Sequence, residues 1–341
     1  MALVPSVACR MRSKVELMLF DLPLDALATY TGTNPRPSDH DEFWAEALLE
    51  LDEIASPPVH KPAQVEAPPG LACEDVWFAG VGGAQVHAQL VRPLDATSPG
   101  PGLVMFHGYS RSSGDWNVKF GWALAGFTVL AMDVRGQGGM STDVGGTTGR
   151  TFAGHFVRGV MTDEAHNWLF RNVFLDVAQV ANYARELAGV DPSRVASFGG
   201  SQGGALAVVA AALVPDVARC ITRYPFLSDY QRVWELALAT DAYAELRDHF
   251  RYFDPLHAQA EELWHRLGYL DIQHLAPRIR AEVLMQTCLS DTVCPPSTQF
   301  AMYNKINATK SLEVYPDFEH ELAPGMDDSV WAFLLPLLDE P

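Results

Sequence analysis

The chain of 341 residues is short of cations: 24 Lys and Arg stand against 42 Asp and Glu, for a formal net charge of −18. Such a surface repels phosphates at long range, which excludes nucleic acid as a partner. Cysteine is also scarce. The five thiols, Cys9, Cys73, Cys220, Cys288 and Cys294, are odd in number and lack the paired Cys-x-x-Cys spacing of a zinc site. They are expected as reduced, packed thiols in a cytoplasmic protein, a Cys288–Cys294 disulfide being the minor alternative. Long apolar runs are missing too, and with them any membrane partner: 205–214 is about half the roughly 20 residues that span a bilayer. The first 14 residues have no basic residue ahead of their short apolar centre and read poorly as a secretory signal. Met11 or Met18 would serve equally well as a start, so 1–17 is expected as a flexible extension. There is no internal repeat and no low-complexity tract.

What is present is a globular pattern. With 48% hydrophobic residues and alternating strand-like and helix-like segments, 18–341 reads as a single α/β domain. Near its start a packing helix is expected, opened by Ser38 as N-cap and carrying Phe43, Trp44, Ala47, Leu48 and Leu51 on one face. Segments 74–79 and 85–91 alternate enough for an antiparallel pair turned at Gly80-Val81-Gly82-Gly83. Apolar runs at 102–106, 127–132, 195–198, 281–287 and 311–315 read as further strands. A helical, cap-like insertion is expected at 227–280, its aromatics Tyr230, Trp234, Tyr243, Phe250, Tyr252 and Phe253 reading as packing more readily than as sugar-stacking rings. Segment 140–171, with Gly145, Gly146, Gly149, Gly154 and Gly159, has no hydrophobic period and reads as a loop near the pocket mouth.

The chemistry centres on Gly199-Gly200-Ser201-Gln202-Gly203, which follows a strand-like run and opens an Ala/Val-rich one. A bare Gly-x-Ser-x-Gly arises easily by chance in a chain with 26 glycines. Strand, tight turn and helix in that order make it a nucleophile-elbow candidate, the turn lifting the Ser201 hydroxyl into the open. A serine hydroxyl needs a base to take its proton, and the base needs an acid to hold its tautomer. Both are expected downstream, each after its own strand: Asp291 after 281–287 and His320 after 311–315. His107 precedes Ser201, and His249, His257, His265 and His274 fall in the helical insertion, so His320 is the preferred base. Asp317, three residues from His320, reads as a turn former after Pro316, so Asp291 is the preferred acid. Backbone N–H groups of Tyr109, in the loop after 102–106, and of Gln202 are the oxyanion donors such an elbow uses. Arg135 reads as a structural donor, since cleaving a neutral ester needs no cation.

Three ordered signatures, Arg135-Gly136-Gln137, Gly199-Gly200-Ser201-Gln202-Gly203 and His320-Glu321, resemble those of the acetyl xylan esterase and cephalosporin C deacetylase family of carbohydrate esterases. The likeness runs from Leu19-Phe20-Asp21-Leu22-Pro23-Leu24 and Asp41-Glu42-Phe43-Trp44 to Asp291-Thr292-Val293-Cys294-Pro295-Pro296-Ser297-Thr298. It implies an α/β-hydrolase fold, with a central, mostly parallel sheet flanked by helices, an N-terminal helical extension and a helical insertion before the catalytic acid. It also implies Ser201, Asp291 and His320 as catalytic triad, Tyr109 and Gln202 N–H groups as oxyanion hole, and no cofactor or metal. The expected activity is removal of short acyl groups, chiefly acetyl, from sugars, xylo-oligosaccharides or small molecules such as cephalosporin C. Self-association into a homo-hexamer is implied as well, with 85–91 and 140–171 as contact surfaces. A serine peptidase or lipase of the same fold is the alternative enzyme, although the chain shows neither a filtering second domain nor a long apolar lid. A non-catalytic binding module is the alternative outside enzymes. Around 140–171 the likeness holds only near Arg158-Gly159 and Phe174, which leaves the substrate open.

Overall fold

A computed structural model describes residues 20–54, 56–94, 98–143 and 155–339. Among them nine strands form one sheet: β1 Val59–Pro62, β2 Leu71–Ala79, β3 Gln85–Pro93, β4 Gly100–Phe106, β5 Thr128–Met132, β6 Val190–Gly200, β7 Arg219–Arg223, β8 Glu282–Cys288 and β9 Lys310–Tyr315. Their order is β1-β2-β3-β5-β4-β6-β7-β8-β9. β1, β2, β3 and β5 pair antiparallel, and the sheet is parallel from β5 through β4 to β9.

The central strands are apolar on both faces because helices cover both. Along β4 and β5 neighbouring side chains separate: Val104 and Leu130 join the core beneath the helices Leu169–Glu186 and Gln202–Leu213, while Leu103 and Val129 meet Ala123, Val330 and Leu334 on the opposite side. The helix Gln202–Leu213 is buried along its whole length, so its Ala/Val-rich sequence has no polar face. This is the α/β-hydrolase fold. Its parallel strands all end on one edge of the sheet, where an open α/β sheet gathers its chemistry.

The expected hairpin forms, with β2 pairing β3 from Leu71↔Pro93 to Ala79↔Gln85. The N-terminal helix spans His40–Asp52 and buries Trp44, Ala47 and Leu51. Its N-cap is Asp39 and not Ser38, and no side chain caps it, because the Asp39 carboxylate is occupied by the Tyr269 hydroxyl at 2.5 Å. Val86 to Val91 are buried between β2 and β5, so the contact surface expected at 85–91 is already covered by the chain itself. Between β7 and β8 lie the helices Tyr230–Glu235, Ala244–Tyr252, Ala260–Tyr269 and Ile272–Leu275. Trp44 Nε1 donates to Tyr269 O at 2.9 Å and the Tyr30 hydroxyl to Asp229 at 2.7 Å, tying the N-terminal segment to this insertion. The extension expected at 1–17, Cys9, and the glycines 145, 146, 149 and 154 lie outside the described residues. Cys73, Cys220, Cys288 and Cys294 are free, so the Cys288–Cys294 pairing does not form. No helix among the described residues is long and apolar enough to cross a membrane.

Candidate active site

Ser201 sits between the end of β6 and the helix Gln202–Leu213 with φ 57° and ψ −122°, a backbone conformation that a side-chain-bearing residue holds only when its surroundings enforce it. They do. Its N–H donates to Arg223 O at 3.0 Å, and its carbonyl accepts from Ala205 N at 3.0 Å and Phe226 N at 3.1 Å. The flanking glycines allow the turn: a Cβ on Gly199 would stand 2.3 Å from the Gly203 backbone, and one on Gly203 would stand 2.1 Å from Phe106 O of β4.

Two adjacent strands deliver the partners. Asp291 follows β8 and is fully buried, its Oδ1 accepting from Val293 N at 2.9 Å and Cys294 N at 2.8 Å. Its Oδ2 faces His320, in the loop after β9, and His320 Nδ1 donates to it at 2.8 Å. This bond selects the Asp291 side of the ring for the Nδ1 proton and leaves Nε2 able to accept one. The His320 ring packs on Tyr224, centroids 4.6 Å apart. Asp317, the rival acid, is exposed. Ser201 and His320 line one cavity of about 450 Å³ together with Gly108, Tyr109, Ala242 and Val293. No hydrogen bond joins the Ser201 hydroxyl to the His320 ring among the described residues.

The oxyanion candidates flank the same space. The Gln202 N–H is the first of a helix, without an intrahelical acceptor. The Tyr109 N–H lies in the loop after β4. Neither amide has an acceptor among the described residues. Gln202's side chain pairs with Gln137, and Gln137 Oε1 also accepts from Ser110 N at 2.9 Å, so the three loops are joined by amide side chains. His107 is structural. Its Nε2 accepts from Val134 N at 3.0 Å and its Nδ1 faces Gly108 O at 2.8 Å, while burial lowers its pKa and keeps the ring neutral. Arg135 is structural as expected, clasping Asp176 in the core at 2.6 and 2.5 Å and Val81 O at 3.2 Å.

Sequence reasoning missed two neighbours. Cys294 lies beneath the site, completely buried; burial pushes its thiol pKa well up, and a hydrogen bond with the Ser201 side chain pulls part of the way back. Asp291, Cys294 and His320 bring ligand atoms within 4.8 Å of one another, the one such group among the described residues, although both Asp291 oxygens are already occupied by amides and the His320 ring. Glu245, on the helix Ala244–Tyr252, accepts the Tyr109 hydroxyl and the His155 amide, the latter at 2.7 Å. Burial raises the Glu245 pKa against those bonds. Nothing in local sequence links Glu245 to Tyr109, which lies 136 positions away. A larger hollow, about 980 Å³, lies where β4 and β6 begin, at the opposite end of the sheet. Of its charged residues Asp191, Arg194 and Asp339, the first two are paired with each other at 2.9 Å, and no histidine lines it.

Comparison with known proteins gives a consistent picture. The family model for acetyl xylan esterase (AXE1) matches residues 17–337. The structure of acetyl xylan esterase 1 from Thermoanaerobacterium sp. JW/SL YS485 is 49% identical, covering 93% of this chain and 99% of its own, with a TM-score of 0.89. That of an acetyl xylan esterase from Paenibacillus sp. R4 is 33% identical, covering 92% and 99%, with a TM-score of 0.85. An acetyl esterase, Axe7A, of Xylanibacter ruminicola is 28% identical over 297 residues, 83% of this chain; the match spans 63% of that relative's length.

Proposed function

The chain belongs to the acetyl xylan esterase family, and on that premise we propose that it is a serine esterase removing acetyl groups from hydroxyls of sugars, xylo-oligosaccharides or small molecules such as cephalosporin C. The observation that carries the reading is the strained Ser201 turn opening into one cavity with His320, whose ring is held by buried Asp291. His320 takes the Ser201 proton as Oγ attacks the ester carbonyl. The tetrahedral oxyanion is received by the Tyr109 and Gln202 N–H groups, and the proton passes from His320 to the departing alcohol. Water, deprotonated by the same ring, then attacks the acetyl-enzyme and releases acetate. The cavity is lined by Gly108, Ala242 and Val293 together with the larger Tyr109, Arg111 and Asp241.

Two further parts of the reading rest on family likeness and composition. The chain assembles as a homo-hexamer, and it works in the cytoplasm, in keeping with its free thiols. A fluorophosphonate that labels the parent but not Ser201→Ala, together with hydrolysis falling from acetyl through butyryl to octanoyl esters, tests the catalytic reading. An unlabelled parent protein would sink it, and the binding-module alternative would take its place.

A further inference from the structure

A second cavity, about 600 Å³, lies beside the first, between residues 155–162 and the helix Ala244–Tyr252. Glu245 lines it, and the hydroxyl this carboxylate accepts belongs to Tyr109, which lines the Ser201 cavity. The two spaces therefore share the Tyr109–Glu245 pair as a wall.

Three observations define what the second cavity suits. His249, 9% exposed, lines it with a ring whose Nε2 has no hydrogen-bond partner among the described residues, an arrangement that costs stability unless a further polar group completes it. Phe253 stands at its rim 80% exposed, its ring 6.1 Å from that of His249. The charge is mixed. Asp248 adds a carboxylate, Arg158 adds a guanidinium already engaged by Asp143, and the Glu245 carboxylate is consumed by Tyr109 and the His155 and Val157 amides. With both signs on its wall and the Arg158 and Glu245 charges engaged within the protein, the cavity selects for an ion of neither sign. A neutral ligand with an apolar face and several hydroxyls suits that wall: its C–H face covers Phe253 while hydroxyls reach His249 and Asp248. The volume lies within the range of small-molecule sites, roughly 300–1,000 Å³.

We propose that this cavity binds a pyranose unit of the substrate that does not itself react, distinct from the pocket where the acetyl group is cleaved. The choice of a sugar among neutral polyols rests on the esterase reading above. Titration calorimetry with xylotriose, which carries no acetyl group, isolates the binding step. The parent binds xylotriose, also after phosphonylation of Ser201. Phe253→Ala, at an exposed position, weakens binding about tenfold, and His249→Phe does the same. In kinetics, the ratio of kcat/KM for acetylated xylotriose to that for 4-nitrophenyl acetate falls to the same extent in both variants. Unchanged xylotriose affinity in Phe253→Ala overturns the proposal, as does a parent that hydrolyses 4-nitrophenyl acetate yet does not bind xylotriose. A parent that binds xylotriose through Phe253 and hydrolyses no ester upholds the site and refutes the esterase reading, so the two failures are distinguishable.

Discussion

Gln137 and Gln202 face each other as a reciprocal amide pair, Gln137 Nε2 donating to Gln202 Oε1 at 2.7 Å and Gln202 Nε2 donating to Gln137 Oε1 at 3.0 Å. Both are buried, and together they join the loop after β5 to the turn that carries Ser201. Replacing either by Leu leaves the other amide unsatisfied, at about 1–3 kcal/mol. Replacing both removes the mismatch between the two amides and leaves the Ser110 N–H that Gln137 had accepted, so the double variant loses less than the two single losses added together. Because the pair positions the Gln202 and Ser110 backbone, kcat falls in each single variant while KM changes little. Urea denaturation and steady-state kinetics on the three variants check this; strictly additive stabilities would show that the pair does not act as a unit.

The proposed triad makes an ordered prediction. Ser201→Ala and His320→Ala lower kcat by about 10⁴- to 10⁶-fold with the fold retained, and Asp291→Asn costs somewhat less. Asp317→Asn, at an exposed turn, leaves kcat within about twofold of the parent, as surface substitutions do. Kinetics with circular dichroism as the folding control decides it. A crippled Asp317→Asn beside an active Asp291→Asn would reverse the assignment of the acid.

The glycines of the elbow are required by backbone contacts. A methyl group on Gly203 would press on Phe106 O, and strand backbone cannot move aside as a flexible side chain can. Gly203→Ala therefore destabilises by about 3 kcal/mol, the upper end of overpacking costs. Gly200→Ala, whose Cβ would meet Tyr224 and Arg223 side-chain atoms at 3.5 Å and beyond, is tolerated better. A thermal melt of the two variants in parallel is the test, and equal losses would contradict it.

The features legible in the sequence are those written in short, local patterns. Ser201, Asp291 and His320 each follow an apolar run that becomes β6, β8 or β9, so strand position alone brings them to one edge of the sheet. A structural role for Arg135 was legible because cleaving a neutral ester needs no cation, whereas its burial against Asp176 was not. Features that depend on packing between distant segments were not legible. The faces that the insertion helices present decide that Glu245 meets Tyr109 and that Phe253 stays exposed while Tyr230 and Tyr243 enter the core. Cys294 read as one more packed thiol, and only the fold sets it beneath Ser201. Ser38 and Asp39 are both good caps, yet the Asp39 carboxylate meets the hydroxyl of Tyr269, 230 positions away, and no side chain caps the helix.

His87 carries a pH dependence of stability. It is fully buried between Asp133, 2.7 Å from Nδ1, and Asp75, 2.9 Å from Nε2. Burial alone would lower its pKa, but the two carboxylates outweigh it and the pKa is raised. A histidine raised above its unfolded value of about 6.5 contributes its full stabilisation below that pH and loses it as pH rises through the folded value. The stability difference between the parent and His87→Gln is therefore widest below about pH 6.5 and narrows as the pH rises above it. Denaturant midpoints across that range measure it. A difference that stays constant or widens with pH would mean that the ring is not charged in the fold.

Assembly is the last test, and the sheet limits where it can occur. Val86 to Val91 are covered within the chain, whereas β1 at one edge is exposed along its whole length, Val59–Pro62. An open edge offers unpaired N–H and C=O groups to another copy, and Pro62 limits the pairing to part of the strand. If the proposed hexamer encloses its active sites, short acetylated oligosaccharides are cleaved faster than polymeric acetylxylan, because the entrance filters by size. Light scattering gives the mass, and a comparison of acetylated xylobiose with acetylxylan gives the filter. Replacing His60, on the exposed edge, by Pro removes one more donor and should shift the protein toward smaller species with a smaller preference for xylobiose. A monomer that hydrolyses polymer and disaccharide equally well would refute both the assembly and the filter.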